Sequence, residues 1–206
     1  MKKSGPGRPT DPSKDREILA AGRALMFELG PMGVTMEAVA RNAGVAKPTL
    51  YRRFPNRDAL LSAIAGSEAE TMSACLEIMP GSADDIRQAL VDFGSDLSTF
   101  LSSNEHLRFI HALGAAVGIA QSARDSIYRS GPLNARNRLA AWFVQLDKKS
   151  LLACRDAEYS AEQFFGMLMG MDLIRTLYHV TSGRDETTRT QRIGLVVDDF
   201  LALHKV

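Results

Sequence analysis

The chain has 206 residues, with 25 Lys+Arg against 24 Asp+Glu for a formal net charge of +1 at pH 7, and it is 45% hydrophobic and 24% charged. These are globular values that exclude a disordered chain, and the length suffices for a buried core without staples. Cys75 and Cys154 make no disulfide framework, which points to a reducing compartment, the cytoplasm; the longest uncharged run, 15 residues between Arg108 and Arg124, is too short to cross a bilayer.

Almost every segment carries helical spacing. The opening SGPGRPTDP stretch has no apolar run, so no secretory signal is expected, and Asp11-Pro12 reads as an N-cap followed by a proline at the first helical position. Ile18, Ala21, Leu25 and Leu29, with Leu19 and Met26, form the stripe of a first helix, in which Gly22 costs up to about 1 kcal/mol of propensity. Gly30-Pro31 stops it. Thr35 caps a short helix over 36–42, Gly44 turns the chain, and another short helix covers 47–53. Asn56 caps a fourth helix that runs to about 79, and Ser82 starts a fifth with Leu90, Phe93, Leu97, Phe100 and Leu101 as its stripe. Helices follow at about 105–120, 122–130 and 133–153, with Gly131-Pro132 between the last two. Ser160 is expected to cap a helix over 161–180, and Ile193, Val196, Val197, Phe200 and His204 mark the final one. The pattern predicts an all-α fold of nine or ten helices: a basic arm over 1–12, a three-helix head over 13–60, and a larger helical bundle over 61–206.

Charge is unevenly spread along these parts. Residues 1–60 hold 11 Lys+Arg and 6 Asp+Glu, a net of +5, whereas residues 61–206 hold 14 and 18, a net of −4. A near-neutral total argues against a nucleic-acid binder, but a basic head on an acidic body suggests that the head faces a polyanion. Within the head, Ala40 is small enough for a close crossing, Gly44 allows a tight corner, and Val45 and Leu50 can pin the third helix to the first. That leaves Lys47, Thr49, Tyr51 and Arg52 pointing outward, a set of side chains suited to a major groove. A plain three-helix bundle with a solvated polar face is the alternative at this point.

The stretch from Val34 to Leu61, above all Thr49-Leu50-Tyr51-Arg52-Arg53-Phe54, resembles the DNA-binding signature of the TetR family of transcriptional repressors. Ser160 to Gly170 (SAEQFFGMLMG) is similar to the AefR-like branch of C-terminal domains. The resemblance implies that Thr35 meets phosphate, that Lys47, Pro48, Thr49 and Tyr51 line the recognition helix, and that Tyr51 touches the DNA backbone. It also implies that Arg52 reaches a base or phosphate, and that Arg57 replaces the family's usual phosphate-gripping Lys. Phe54 is read as a core wedge. Ala46 stands where the family often has a capping Ser, which costs about 1 kcal/mol of helix stability, and Pro48 offsets part of this. Arg8, within Gly7-Arg8-Pro9 behind Lys2 and Lys3, resembles the core of a minor-groove arm, although a disordered tail touching phosphate weakly is the favoured reading.

In the body, Phe109, Trp142, Phe143, Phe165 and Met171, with His111 and Arg175 as polar groups, are candidates for an effector pocket; core packing is the competing reading for each. Phe164, Met167, Tyr178, His106 and Asp172 join them, and Asp172 with Arg175 also has i,i+3 ion-pair spacing. The histidines show no metal-ligand spacing, and neither a metal nor a cofactor is expected. Gly166 and Gly170, four apart, together with the stripe Ile193, Val196, Val197 and Phe200, are the expected dimer surface, as the resemblance implies for the last two helices. The resulting expectation is a homodimeric repressor of a palindromic double-stranded DNA operator, released by a small apolar or aromatic effector, with no membrane partner and no catalysis. A helical enzyme or small-molecule carrier without DNA binding is the rival, and no nucleophile–base pairing supports it.

Overall fold

The computed structural model describes residues 12–115, 119–180 and 183–206, and among these it contains helices and turns with no strand. The head comprises α1 (Pro12–Leu29), α2 (Met36–Asn42) and α3 (Lys47–Arg53). The rest comprises α4 (Arg57–Met72), α5 (Ala83–Ser102), α6 (Asn104–Ala115), α7 (Gln121–Ser130), α8 (Pro132–Lys148), α9 (Ala157–Met169), α10 (Asp172–Leu177) and α11 (Glu186–Leu203). Short 3-10 turns lie at Pro31–Gly33 and Ala74–Glu77. The expected caps at Thr35, Asn56 and Ser82 are present, each accepting from the backbone N–H three residues on, at 3.1, 2.8 and 3.1 Å. Asp11 and Arg8 lie outside the described residues.

Several boundaries differ from the sequence expectation, each for a local reason. Helix α4 stops at Met72 rather than about 79, where buried Ser73 bends the chain by donating its hydroxyl to the Ala69 carbonyl at 2.7 Å. Helix α8 ends at Lys148 rather than 153, and Asp147 then accepts from the Cys154 N–H at 2.9 Å, folding the chain back. The predicted helix over 161–180 is two helices, because Gly170 takes a left-handed φ of 45° between α9 and α10. Its cap is Asp156, whose carboxylate accepts from Tyr159 N–H at 3.0 Å. Ser160 is buried instead and bonds His204 Nε2 at 3.1 Å, while His204 Nδ1 lies 2.9 Å from the Phe200 carbonyl. A carbonyl only accepts, so His204 Nδ1–H is the donor to the Phe200 carbonyl.

Two apolar cores result. The body core gathers Leu90 and Phe93 of α5, Leu139 and Phe143 of α8, Phe164 of α9 and Phe200 of α11. Phe200 stacks on Phe143 at 5.2 Å and meets Phe164 edge-on at 5.1 Å. The second core does not end with the head: Ile18, Met26, Val39 and Leu50 are joined by Leu60, Leu61 and Ile64 of α4, Phe109 of α6 and Ile127 of α7. Gly22 gains a purpose here, since a Cβ at that position would sit 2.6 Å from Ile64 Cδ1, so glycine is what permits α1 to lie so close to α4.

Of the residues expected at the dimer surface, Ile193, Val196, Val197 and Phe200 are all buried within the subunit, packed on α5, α8 and α9. Among the expected dimer residues, Gly166 is exposed with open space before it, whereas Gly170 is backed by the Arg192 guanidinium. The outward side of α11 carries Leu195 and Leu203 instead, at 66% and 65% exposure.

In the second core, Phe27 of α1 meets Phe100 of α5 and Phe109 of α6 edge-on at 6.1 and 5.8 Å, and His106 lies 4.4 Å from the Phe100 ring. Burial pushes the His106 pKa down to about 4 from an ordinary 6.5, so the ring is neutral at pH 7. The unfolded chain therefore binds a proton that the folded chain refuses between pH 6.5 and 4, and stability falls as pH falls through that window. The expected loss from this residue is on the order of 3 kcal/mol. Urea midpoints measured from pH 7 to pH 4 should drop less steeply in His106→Phe than in the wild type.

Candidate nucleic-acid interface

Helices α2 and α3 are joined by Ala43–Ala46, with Gly44 at a left-handed φ of 61° and Val45 N–H bonded to the Ala40 carbonyl at 3.0 Å. That turn sets α3 across the head. Leu50 is fully buried in the second core, which fixes the rotation of the helix. Lys47, Pro48, Tyr51 and Arg52 consequently lie exposed along α3, and Thr49 is half-buried at its edge. Pro48 occupies the second helical position, where its missing N–H leaves no unmet donor. Ala46 has the extended backbone of an N-cap but no side chain to accept a bond.

The cations of α2, α3 and the start of α4 fall into three kinds. Arg52 is exposed and has no partner among the described residues, as is true of Arg41 at the end of α2, which sequence reasoning passed over; the Tyr51 phenol is exposed beside them. Lys47 is tied to Glu37 of α2, Nζ to Oε1, at 3.1 Å. The Glu37 pKa is lowered, first by its bond to its own backbone amide and then by Lys47, so the pair is an ionic one. Arg53 and Arg57 turn inward. Arg53 pairs with Asp15 of α1, clamping α3 to α1. Arg57, expected on phosphate, donates Nε to the Val34 carbonyl at 2.8 Å and Nη2 to the Pro31 carbonyl. It therefore ties the start of α4 to the segment that leads into α2. The Glu37–Lys47 pair could have been anticipated from the two short helices alone; the Asp15–Arg53 clamp, 38 residues apart, had no sequence signal. Thr35 is exposed at the start of α2, and its hydroxyl oxygen accepts from Ala38 N–H.

The expected effector residues do not line one cavity. Phe109 belongs to the head-side core, Trp142 and Phe143 are packed within the body core, and Phe165 lies partly buried, edge-on to Phe93 at 5.8 Å. Met171 is exposed, Arg175 pairs with Asp172 at 2.7 Å, and His111 Nε2 bonds the Thr176 carbonyl at 2.9 Å. Trp142 Nε1 is buried without a hydrogen-bond acceptor among the described residues. An open groove of about 720 Å³ lies elsewhere, between α4, α7 and α8, lined by Ser62, Ser67, Arg129, Asn134 and Asn137 among others. Burial pushes the Cys75 thiol up to about 11 and the Cys154 thiol upward too, which leaves little thiolate for oxidant sensing. Among the described residues no cluster of three or more His, Cys, Asp or Glu could hold a metal, and no helix is long and apolar enough to cross a membrane.

Comparison with known proteins agrees with this geometry. Residues 18–64 match the family of bacterial regulatory proteins, tetR family, and residues 88–206 match the AefR-like transcriptional repressor C-terminal domain. The HTH-type transcriptional regulator YdeS of Bacillus subtilis is 28% identical over 163 residues, 78% of each chain. Another, Mb2274c of Mycobacterium bovis, is 36% identical over 74 residues, 36% of this chain and 37% of its own. Among solved structures, a TetR-family regulator from Mesorhizobium loti superposes with a TM-score of 0.71 at 22% identity, over 97% of this chain and 100% of that one. The flavonoid-responsive regulator FrrA does so with a TM-score of 0.67 at 24% identity, covering 95% of this chain and 98% of its own. These two likenesses show the shared fold.

Two substitutions check the geometry of α3. Ala46→Ser supplies the missing cap and should raise stability by about 1 kcal/mol, measured by urea unfolding. Tyr51→Ala leaves the core intact, so the melting temperature should hold while DNA affinity in a gel-shift falls about tenfold or more.

Proposed function

Because the chain belongs to the TetR family of transcriptional regulators, with an AefR-like C-terminal domain, we propose that it is a homodimeric repressor of a palindromic operator released by a small-molecule effector. The chain is a DNA-binding regulator rather than an enzyme, as its family is. The observation that carries the finer reading is α3 itself: Leu50 locks it to the core while Pro48, Tyr51 and Arg52 stand clear of the protein. Thr35 at the N-terminus of α2 offers its hydroxyl to a phosphate on the flank, and Lys47 and Thr49 complete the recognition surface. Arg8 reaches the minor groove from the arm in this reading. Two such heads must be about 34–36 Å apart, or a longer helical multiple, to enter successive major grooves.

The dimer surface we propose is the outward side of α9 and α11, with Tyr159, Gly166, Leu195 and Leu203, all exposed in the subunit. For the effector, the body core is the place, and Trp142 supports it: a buried donor without an acceptor offers a ligand oxygen a bond that would otherwise go unmade. FrrA, by its name, responds to flavonoids, and an apolar or aromatic ligand with an acceptor group suits the aromatic body core here too. Release follows from linkage. Ligand favours a body arrangement that moves α4, and Arg57 passes that movement to the entry of α2; DNA and ligand weaken each other by the same factor.

Selection of bound duplexes from random DNA tests the repressor reading, and a two-fold symmetric consensus is the expected result. Leu195→Glu with Leu203→Glu should elute as a folded monomer and lose more than tenfold in affinity for that duplex; a dimer on the sizing column would overturn the proposed surface. Trp142 is the one tryptophan in the sequence, so its fluorescence reports the effector directly: a compound that releases DNA should also shift or quench it.

A further inference from the structure

The cation that opens the recognition helix is not free. Lys47 occupies the first position of α3, and its ammonium sits 3.1 Å from the carboxylate of Glu37 in the first turn of α2. Both side chains are more than half exposed, at 58% and 57%, so the pair is presented at the same surface as Tyr51 and Arg52. An exposed ion pair of this kind contributes little to stability. Its consequence lies in what an approaching polyanion meets. A lone lysine offers a mobile positive charge to any phosphate within reach, whatever the sequence. A lysine paired to a carboxylate offers almost no net charge, and its long side chain is already held in one direction.

We propose that Glu37 is a specificity-determining residue: it keeps Lys47 from acting as a sequence-independent phosphate grip and positions its ammonium for the groove. This rests on the reading of α3 as the recognition helix. Three features of the site converge on it. The N-terminal end of α2 favours a carboxylate at Glu37, so the acid stays ionised. Helices α2 and α3 are held rigidly across the Gly44 turn and by buried Leu50, so the spacing of the pair is fixed by the fold rather than by chance encounter. Finally, Arg53 and Arg57 are turned inward, which leaves Arg41, Lys47 and Arg52 as the exposed cations of α2 and α3, and of these Lys47 is the one held by a carboxylate.

The inference has a definite signature. Non-specific binding is almost wholly phosphate attraction, and each phosphate contact adds about one to the slope of log affinity against log salt. Replacing the carboxylate by an amide of the same shape frees Lys47 for such a contact. The test uses the full chain as wild type, Glu37→Gln, Lys47→Ala and the double variant. Each is titrated with the duplex selected from random DNA and with a scrambled duplex of the same length and composition, at two or more salt concentrations. Glu37→Gln should bind the scrambled duplex about three- to tenfold more tightly, with a salt slope steeper by about one. It should bind the selected duplex no more tightly than wild type, so the ratio of the two affinities falls. In the Lys47→Ala background, the gain on scrambled DNA should largely vanish.

Equal tightening on both duplexes would overturn the proposal, since Glu37 would then be a repelling charge and nothing more. An undiminished effect without Lys47, or no effect at all, would do the same. Failure to select any duplex would instead overturn the reading of α3, a result separable from the others because it appears before any variant is made. Sizing and thermal melting confirm that the four proteins share one fold.

Discussion

The burial of Leu60, Leu61 and Ile64 of α4 beneath the DNA-reading head is the constraint on which the rest of the structure depends. It joins what would otherwise be two bodies on a tether. These residues share one core with Ile18 and Leu50 of the head and with Phe109 and Ile127 of α6 and α7. Close approach requires Gly22, where any side chain would meet Ile64, so a residue that weakens the helix as an isolated segment strengthens the fold. Around this apolar contact lie polar ties of the same sense: Arg23 to Glu68 at 2.5 Å, and Arg57 to the carbonyls of Val34 and Pro31. In the proposed mechanism these contacts are what would carry a displacement of α4 into α1 and the entry of α2.

Much of this was legible in the sequence because it is local. Thr35, Asn56 and Ser82 announce helix starts through chemistry completed within three residues. Gly44 marks a corner that demands positive φ, and Leu50 among polar neighbours marks the one buried side of a short helix. Ser160 shows the limit of the same logic. A serine before an apolar run fits a cap, but an aspartate four residues earlier fits equally well, and the choice fell to Asp156 because His204 at the far end of the chain takes up the serine hydroxyl. A partner 44 residues away leaves no trace in a local window.

The body was less legible for a related reason. Periodicity tells that a helix has an apolar side, not which molecule covers it. In α11, Ile193, Val196, Val197 and Phe200 form the stronger stripe, and the subunit claims it for its own core; Leu195 and Leu203 form a weaker one that stays outside. Aromatic residues of α6 and α8 posed the same problem, since Phe109 and Phe143 look alike in sequence yet belong to different cores. Charge was the exception. Within the described part of the head the positive excess lies on α2 and α3, where Arg41, Lys47, Arg52 and Arg53 stand against Glu37 alone.

The packing of the body also bears on how an effector acts. Phe93, Phe164, Phe200 and Phe143 are fully buried and linked in a chain of ring contacts, so an apolar ligand bound in the proposed place would have to part them. A dense interior resists small continuous deformation and shifts instead between discrete packings. The ligand can then move the head only by the difference between its affinities for the two packings, however tightly it binds either one. Trp142 matters in this light because its Nε1–H is buried without an acceptor, and under the proposed function a ligand oxygen would supply one in one packing and not the other. In the proposed mechanism the coupling of body to head therefore draws on the same buried donor that the closed core leaves unmet.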